Sequence, residues 1–71
     1  MDIDSVLIIK KLAQNPYKEG TEPWQVYIDA CLCEKNGEVS VKDMMIYNDL
    51  PYSYYKKFIP RLIDDNILFL K

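Results

Sequence analysis

The stretch from Ser40 to Ile67 constrains this chain more than any other. It holds two amphipathic segments separated by Asp49-Leu50-Pro51. Ser40 stands as N-cap of the first segment, which runs to about Asn48. Asp43, three residues on, is a short version of the capping-box carboxylate. In the second segment, from about Tyr52 to Asp65, Tyr55, Ile59, Leu62 and Ile63 recur at spacings of three and four, the signature of one buried helix face. Leu50 can plug the angle between the two helices. Pro51 fixes φ at the start of the second, where a missing N–H costs little. Pro60 lies inside that helix; it cannot donate to the Lys56 carbonyl, so a local kink or loosening is expected there. Asn66 marks the stop, because asparagine tolerates the left-handed conformation a helix end needs. Ile67-Leu68-Phe69-Leu70 then reads as a short strand.

The rest of the chain is expected to wrap around this pair. Asp2 to Gln14 reads as a first helix, with Asp2 and Asp4 at its positive end and Lys10 and Lys11 near its negative end. Its apolar residues, Ile3, Val6, Leu7, Ile8, Ile9 and Leu12, exceed what one helix stripe hides against a small core. Either the helix is buried on two sides, or it offers a second apolar surface to another chain. Asn15 to Thr21 contains Pro16 and Gly20 and reads as a loop. Thr21 is a plausible N-cap for a helix carrying Trp24, Tyr27, Ile28, Cys31 and Leu32, with Asn36-Gly37 as its stop. Trp24 reads as a core or interface anchor, with a ligand platform as the other reading. Glu38-Val39 is expected to form a short strand pairing with Ile67–Leu70.

With 71 residues there is one small domain, and 49% hydrophobic with 28% charged residues is ordinary for a globular one. Without histidine the commonest acid–base catalyst is missing, and with only two glycines there is no phosphate-cradling loop. Asp64-Asp65 reads as a solvated pair in the last helical turn, so no enzyme is expected, and no cofactor. Cys31 and Cys33, two apart on a helix, point to different sides and cannot readily bridge. Two cysteines without histidine do not complete a zinc site, so no metal is expected. No apolar run approaches a membrane span, and the acidic N-terminus is unlike a signal peptide; a cytoplasmic location is the default expectation.

Two helices joined by so short a break suggest a helix-turn-helix. From about Glu22 to Leu70 the chain resembles a winged-helix DNA-binding domain of the kind found in small prokaryotic or phage regulators. In that family a first helix is followed by a short strand, the two-helix motif and a strand leading into the wing. The run V-S-V-K-D-M-M-I-Y-N-D-L-P-Y-S-Y-Y-K-K-F-I-P-R-L-I-D-D-N-I-L carries the resemblance. It implies a mainly α fold with a minimal β-ribbon: residues 1–15 an additional helix, residues 22–71 the winged-helix-like core. After the second helix of the motif only one strand remains, so a truncated wing is expected.

The resemblance implies a sequence-specific transcription regulator that places the second helix of the motif in the major groove of double-stranded DNA. Ser53, Tyr54 and Lys57 would then read bases, Lys56 and Arg61 would meet phosphates or base edges, and Lys42 would hold the backbone from the preceding helix. The alternative reading of these residues is a solvated polar face. The net charge of −2 is unfavourable for DNA, but it is uneven: residues 1–39 carry four lysines against seven carboxylates, and residues 40–71 carry five cations against four. A protein–protein adaptor without DNA binding is the competing function, favoured by the acidic charge and by Tyr47, Tyr52, Tyr54 and Tyr55 around the motif. A homodimer through Ile3, Val6, Leu7, Ile8, Ile9 and Leu12 of the first helix is expected with either function.

Overall fold

Residues 1–15 contain no helix. The computed structural model describes all 71 residues, and here it has a strand, β1 (Val6–Ile9), preceded by a turn and followed by an irregular loop. Asp2 and Asp4 build the turn rather than a helix start. The Asp4 N–H donates to Asp2 Oδ1 at 2.9 Å and the Ser5 N–H to the Asp2 carbonyl at 3.1 Å. Within the strand Leu7 and Ile9 point into the core while Ile8 is 43% exposed, the two-residue alternation of a sheet with one covered face. Val6, Ile8 and Ile9 are β-branched, which suits the strand.

The remaining elements are α1 (Glu22–Cys33), β2 (Glu38–Ser40), α2 (Val41–Asn48), α3 (Tyr52–Asp64) and β3 (Leu68–Leu70). The sheet order is β2-β1-β3, antiparallel throughout. Leu7 stands between Val39 and Leu70, and Ile9 is paired with Leu68. Glu38-Val39 therefore does not pair with Ile67–Leu70 as the sequence suggested, because β1 separates them. The fold is a three-helix, three-stranded α/β domain, richer in sheet than a minimal β-ribbon. No helix is long and apolar enough to cross a membrane.

Local signals account for the helix ends. Thr21 caps α1, its Oγ1 accepting from the Trp24 N–H at 3.4 Å. The helix stops at Cys33, short of Asn36-Gly37. That pair instead has φ of 54° and 81° between Lys35 and Glu38, which exchange N–H···O bonds of 2.8 and 3.0 Å. Positive φ at both central residues is the two-residue hairpin geometry for which Asn-Gly is the strongest sequence signal. Ser40 caps α2 by accepting from the Asp43 N–H at 3.3 Å. Asp49 ends that helix in the left-handed region, φ 52°. At the end of α3 the Asn66 N–H donates to the Ile63 carbonyl and the Ile67 N–H to the Leu62 carbonyl, with Asn66 at φ 61°. These are the two bonds of a Schellman ending, which turns the chain directly into β3.

The helices cover one face of the sheet. Val26, Ala30 and Cys33 of α1, Val41 and Met44 of α2, and Tyr55, Ile59 and Leu62 of α3 meet Leu7, Ile9, Val39 and Leu68 in a single core. Of the six residues expected to form a dimer face, Leu7 and Ile9 are thus consumed by the monomer and Val6 is half-buried. Ile3, Ile8 and Leu12 remain exposed, on the turn, the strand and the loop. The surplus of apolar residues in this segment reflects a central strand, with neighbours on both edges. Ile8→Thr, on the uncovered face, is expected to cost about 1 kcal/mol or less of stability, since threonine retains the β-branch; thermal unfolding followed by circular dichroism checks this.

Candidate nucleic-acid interface

Asp49, Leu50 and Pro51 are the whole connection between α2 and α3. The Leu50 N–H returns to the Met45 carbonyl at 3.2 Å, and its side chain packs against the core. Pro51 is the N-cap of α3, extended at ψ 158°, and the Tyr54 N–H donates to its carbonyl at 3.1 Å. The chain is thereby reversed in a fixed way between the two helices.

What orients α3 is a buried polar network that the sequence reading did not identify. Asp29 of α1 is 1% exposed. Its carboxylate accepts from the Tyr55 hydroxyl at 2.8 Å and from Gln25 Nε2 at 2.9 Å. Asn48 of α2 donates through Nδ2 to the Tyr55 hydroxyl at 3.2 Å and to the Met44 carbonyl at 2.9 Å. One tyrosine thus joins all three helices, and no buried side-chain polar atom is left without a partner. Burial, and then the Asp29 carboxylate, push the Tyr55 hydroxyl well above the ordinary phenol range. A signal was present in the sequence: Asp29 occupies the same α1 stripe as Val26, Ala30 and Cys33, where an unpaired carboxylate would be costly.

With Tyr55, Ile59 and Leu62 inward, α3 turns Ser53, Lys56, Lys57, Pro60 and Arg61 to solvent. The helix runs unbroken through Pro60. Pro60 has no N–H to donate to the Lys56 carbonyl one turn earlier, and its ring lies on the exposed side. Lys56 and Lys57 have no carboxylate within salt-bridge distance; Lys57 Nζ lies 5.4 Å from the Phe58 ring centroid.

The other expected contacts are placed differently. Tyr54 does not project outward. It is half-buried, its ring edge-on to Tyr55 at 5.2 Å and tilted against Phe58 at 5.0 Å, and burial raises its hydroxyl pKa. Arg61 donates from Nε to Asp65 Oδ2 at 2.8 Å, and its guanidinium lies 5.5 Å from the Tyr17 ring centroid. Tyr17 in turn donates its hydroxyl to the same Asp65 oxygen at 2.8 Å. Burial and the Asp65 carboxylate push Tyr17 up to about 12, while the Tyr17 hydroxyl and then Arg61 hold Asp65 below the usual carboxylate range. Arg61 therefore fastens the loop before α1 to the end of α3. Lys42 is exposed at the start of α2 but pairs with Asp4 Oδ1 at 3.0 Å. The Tyr52 hydroxyl, at the start of α3, donates to the Met1 carbonyl at 3.0 Å. The acidic N-terminal turn thus sits beside the beginnings of both helices.

The expected residues consequently divide. Ser53, Lys56 and Lys57 share an open face, Lys42 and Arg61 are charge-paired at its margins, and Tyr54 belongs to the packing beneath. No group of three or more Cys, Asp or Glu side chains converges to hold a metal ion. No family model matches the chain, and neither a curated protein nor a solved structure matches it.

Proposed function

We propose that the protein is a DNA-binding regulator that places α3 in the major groove of double-stranded DNA. The observation that carries the reading is the open face of Ser53, Lys56 and Lys57 near the start of a helix that Tyr55 ties to α1 and α2. Base-reading helices of this class contact base edges with their N-terminal residues, and cations beside them meet phosphates. A fixed helix loses little freedom on docking, which favours affinity.

On this reading the domain is a winged helix whose wing is divided between the two ends of the chain. β3 leads into the wing after α3, and β1 returns from it, pairing with both β3 and β2. On the same reading, β1 would stand as the second strand that the truncated wing read from the sequence lacks. The turn at Asp2–Ser5 then lies at the wing position, and its carboxylates oppose phosphate contact there.

Selection of bound duplexes from a random DNA pool tests the function, with enrichment of a defined sequence as the expected result. Asp4→Asn supplies a second check. It releases Lys42 and removes a charge that repels the duplex, so DNA affinity is expected to rise about tenfold at low salt and the salt slope to steepen by about one counterion. Fluorescence anisotropy across a salt series reads both quantities.

An adaptor without DNA binding is favoured by one separate feature, an apolar groove outside the α3 face lined by Leu32, Ile46 and Tyr47.

A further inference from the structure

The three most exposed large apolar side chains of the molecule line one groove. Ile46 is 77%, Tyr47 64% and Leu32 56% exposed, and together with buried Cys33 they border a concavity of about 380 Å³ between the end of α1 and α2. Elsewhere Leu70 is 55% exposed, and the paired Ile8 and Phe69, 43% and 39% exposed, lie on the uncovered sheet, which has no concavity. Three such residues converging on a concave surface mark a contact site rather than the scatter any soluble protein shows.

The polar residues at the groove indicate what covers it. Lys35 and Asp43 both line it, and neither has an oppositely charged partner within salt-bridge distance. Glu34, the other charged lining residue, is already engaged by Lys11 at 3.4 Å and by the Gly37 N–H at 2.6 Å. The surface therefore offers one free cation and one free anion beside protruding apolar groups and a hollow. That set is its own complement under a twofold rotation, where residue i meets j and j meets i.

We propose that the groove is the interface of a homodimer, with a second copy of the chain as its occupant. Ile46 and Tyr47 of each protomer enter the hollow of the other, and Lys35 of each faces Asp43 of its partner. The interface is independent of the DNA reading, since none of its residues belongs to the open face of α3.

Sedimentation velocity at tens of micromolar protein tests the proposal. The wild type is expected to run at twice the 8.4 kDa chain mass. Ile46→Glu should be monomeric, with an unchanged circular dichroism spectrum because the side chain is exposed in the single chain. Lys35→Glu and Asp43→Lys should each weaken self-association by about tenfold or more, because each sets like charges against each other twice. Mixed in equal amounts, these two variants should form a heterodimer of near wild-type affinity, because both cross-contacts are then between opposite charges. Asp43→Lys also removes a carboxylate from the first turn of α2, so its helix content is measured alongside, and Lys35→Glu carries no such effect. A monomeric wild type would assign the groove to a different partner and overturn the proposal. A dimer that survives Ile46→Glu, or single variants that fail to complement, would overturn the placement of its interface.

Discussion

Tyr55→Ala is expected to leave the protein largely unfolded at room temperature. The side chain is fully buried among residues of all three helices, and truncating a large buried aromatic costs ~3–5 kcal/mol. Its hydroxyl is also the donor that pairs the buried Asp29 carboxylate with α3, and an orphaned buried polar group adds ~1–3 kcal/mol. Stabilities of small domains lie near the low end of about 5–15 kcal/mol, so the two losses together approach the whole. Tyr55→Phe separates the terms. It keeps the ring and removes only the hydroxyl, and should cost ~1–3 kcal/mol in urea unfolding. The pH dependence supplies an independent readout. The folded-state pKa of Tyr55 is raised, so its contribution to stability is complete below the unfolded value of about 10 and is lost as pH rises above it. Tyr17, Tyr27 and Tyr54 are shifted in the same direction, first by burial. Tyr55→Phe should therefore make the alkaline loss of stability shallower without abolishing it.

The second large effect is on DNA. Reversing both free lysines of α3, Lys56→Glu with Lys57→Glu, should reduce duplex affinity by about 100-fold or more at low salt, because on the proposed reading two attractions to the duplex are replaced by two repulsions. Both side chains are exposed and accept no charge partner within the fold, so the melting temperature should move little. The loss of the Lys57 contact with Phe58 removes ~0.5–1 kcal/mol at most. Arg61→Ala separates two roles. If Arg61 is chiefly a fastener, the variant releases Tyr17 and Asp65 with a smaller effect on affinity than either lysine reversal. Anisotropy titrations and thermal melts on the same samples distinguish the cases.

The parts of this molecule that could be read from the chain are those fixed by neighbours in sequence. Ser40 as a cap, the Leu50-Pro51 break, the Tyr55/Ile59/Leu62 stripe and the left-handed Asn66 each depend on interactions within a few residues, and each stands in the structure as expected. Residues 1–15 failed because the deciding partners are distant. Val6–Ile9 becomes a strand only when Val39 and Leu68–Leu70 flank it, and a run of consecutive apolar residues carries no clear period by itself. Asn36-Gly37, read as the stop of α1, forms a hairpin turn instead for a related reason: the same dipeptide serves both purposes, and the pairing of Lys35 with Glu38 decides. The face of α3 was legible in Ser53, Lys56 and Lys57, whose exposure follows from the helical period. The engagement of Lys42 by Asp4 and of Arg61 by Asp65 and Tyr17 was not, since the first depends on where the N-terminal turn folds and the second on the loop before α1.

The claim that α3 is the DNA-reading surface is tested most directly by following backbone amide resonances while a short duplex, taken from the selected pool, is added at low salt. The account predicts shifts concentrated on Ser53, Lys56 and Lys57 and their neighbours at the start of α3, fading as salt is raised. Resonances that do not move, or that move around Leu32, Ile46 and Tyr47 while α3 stays unchanged, would contradict it.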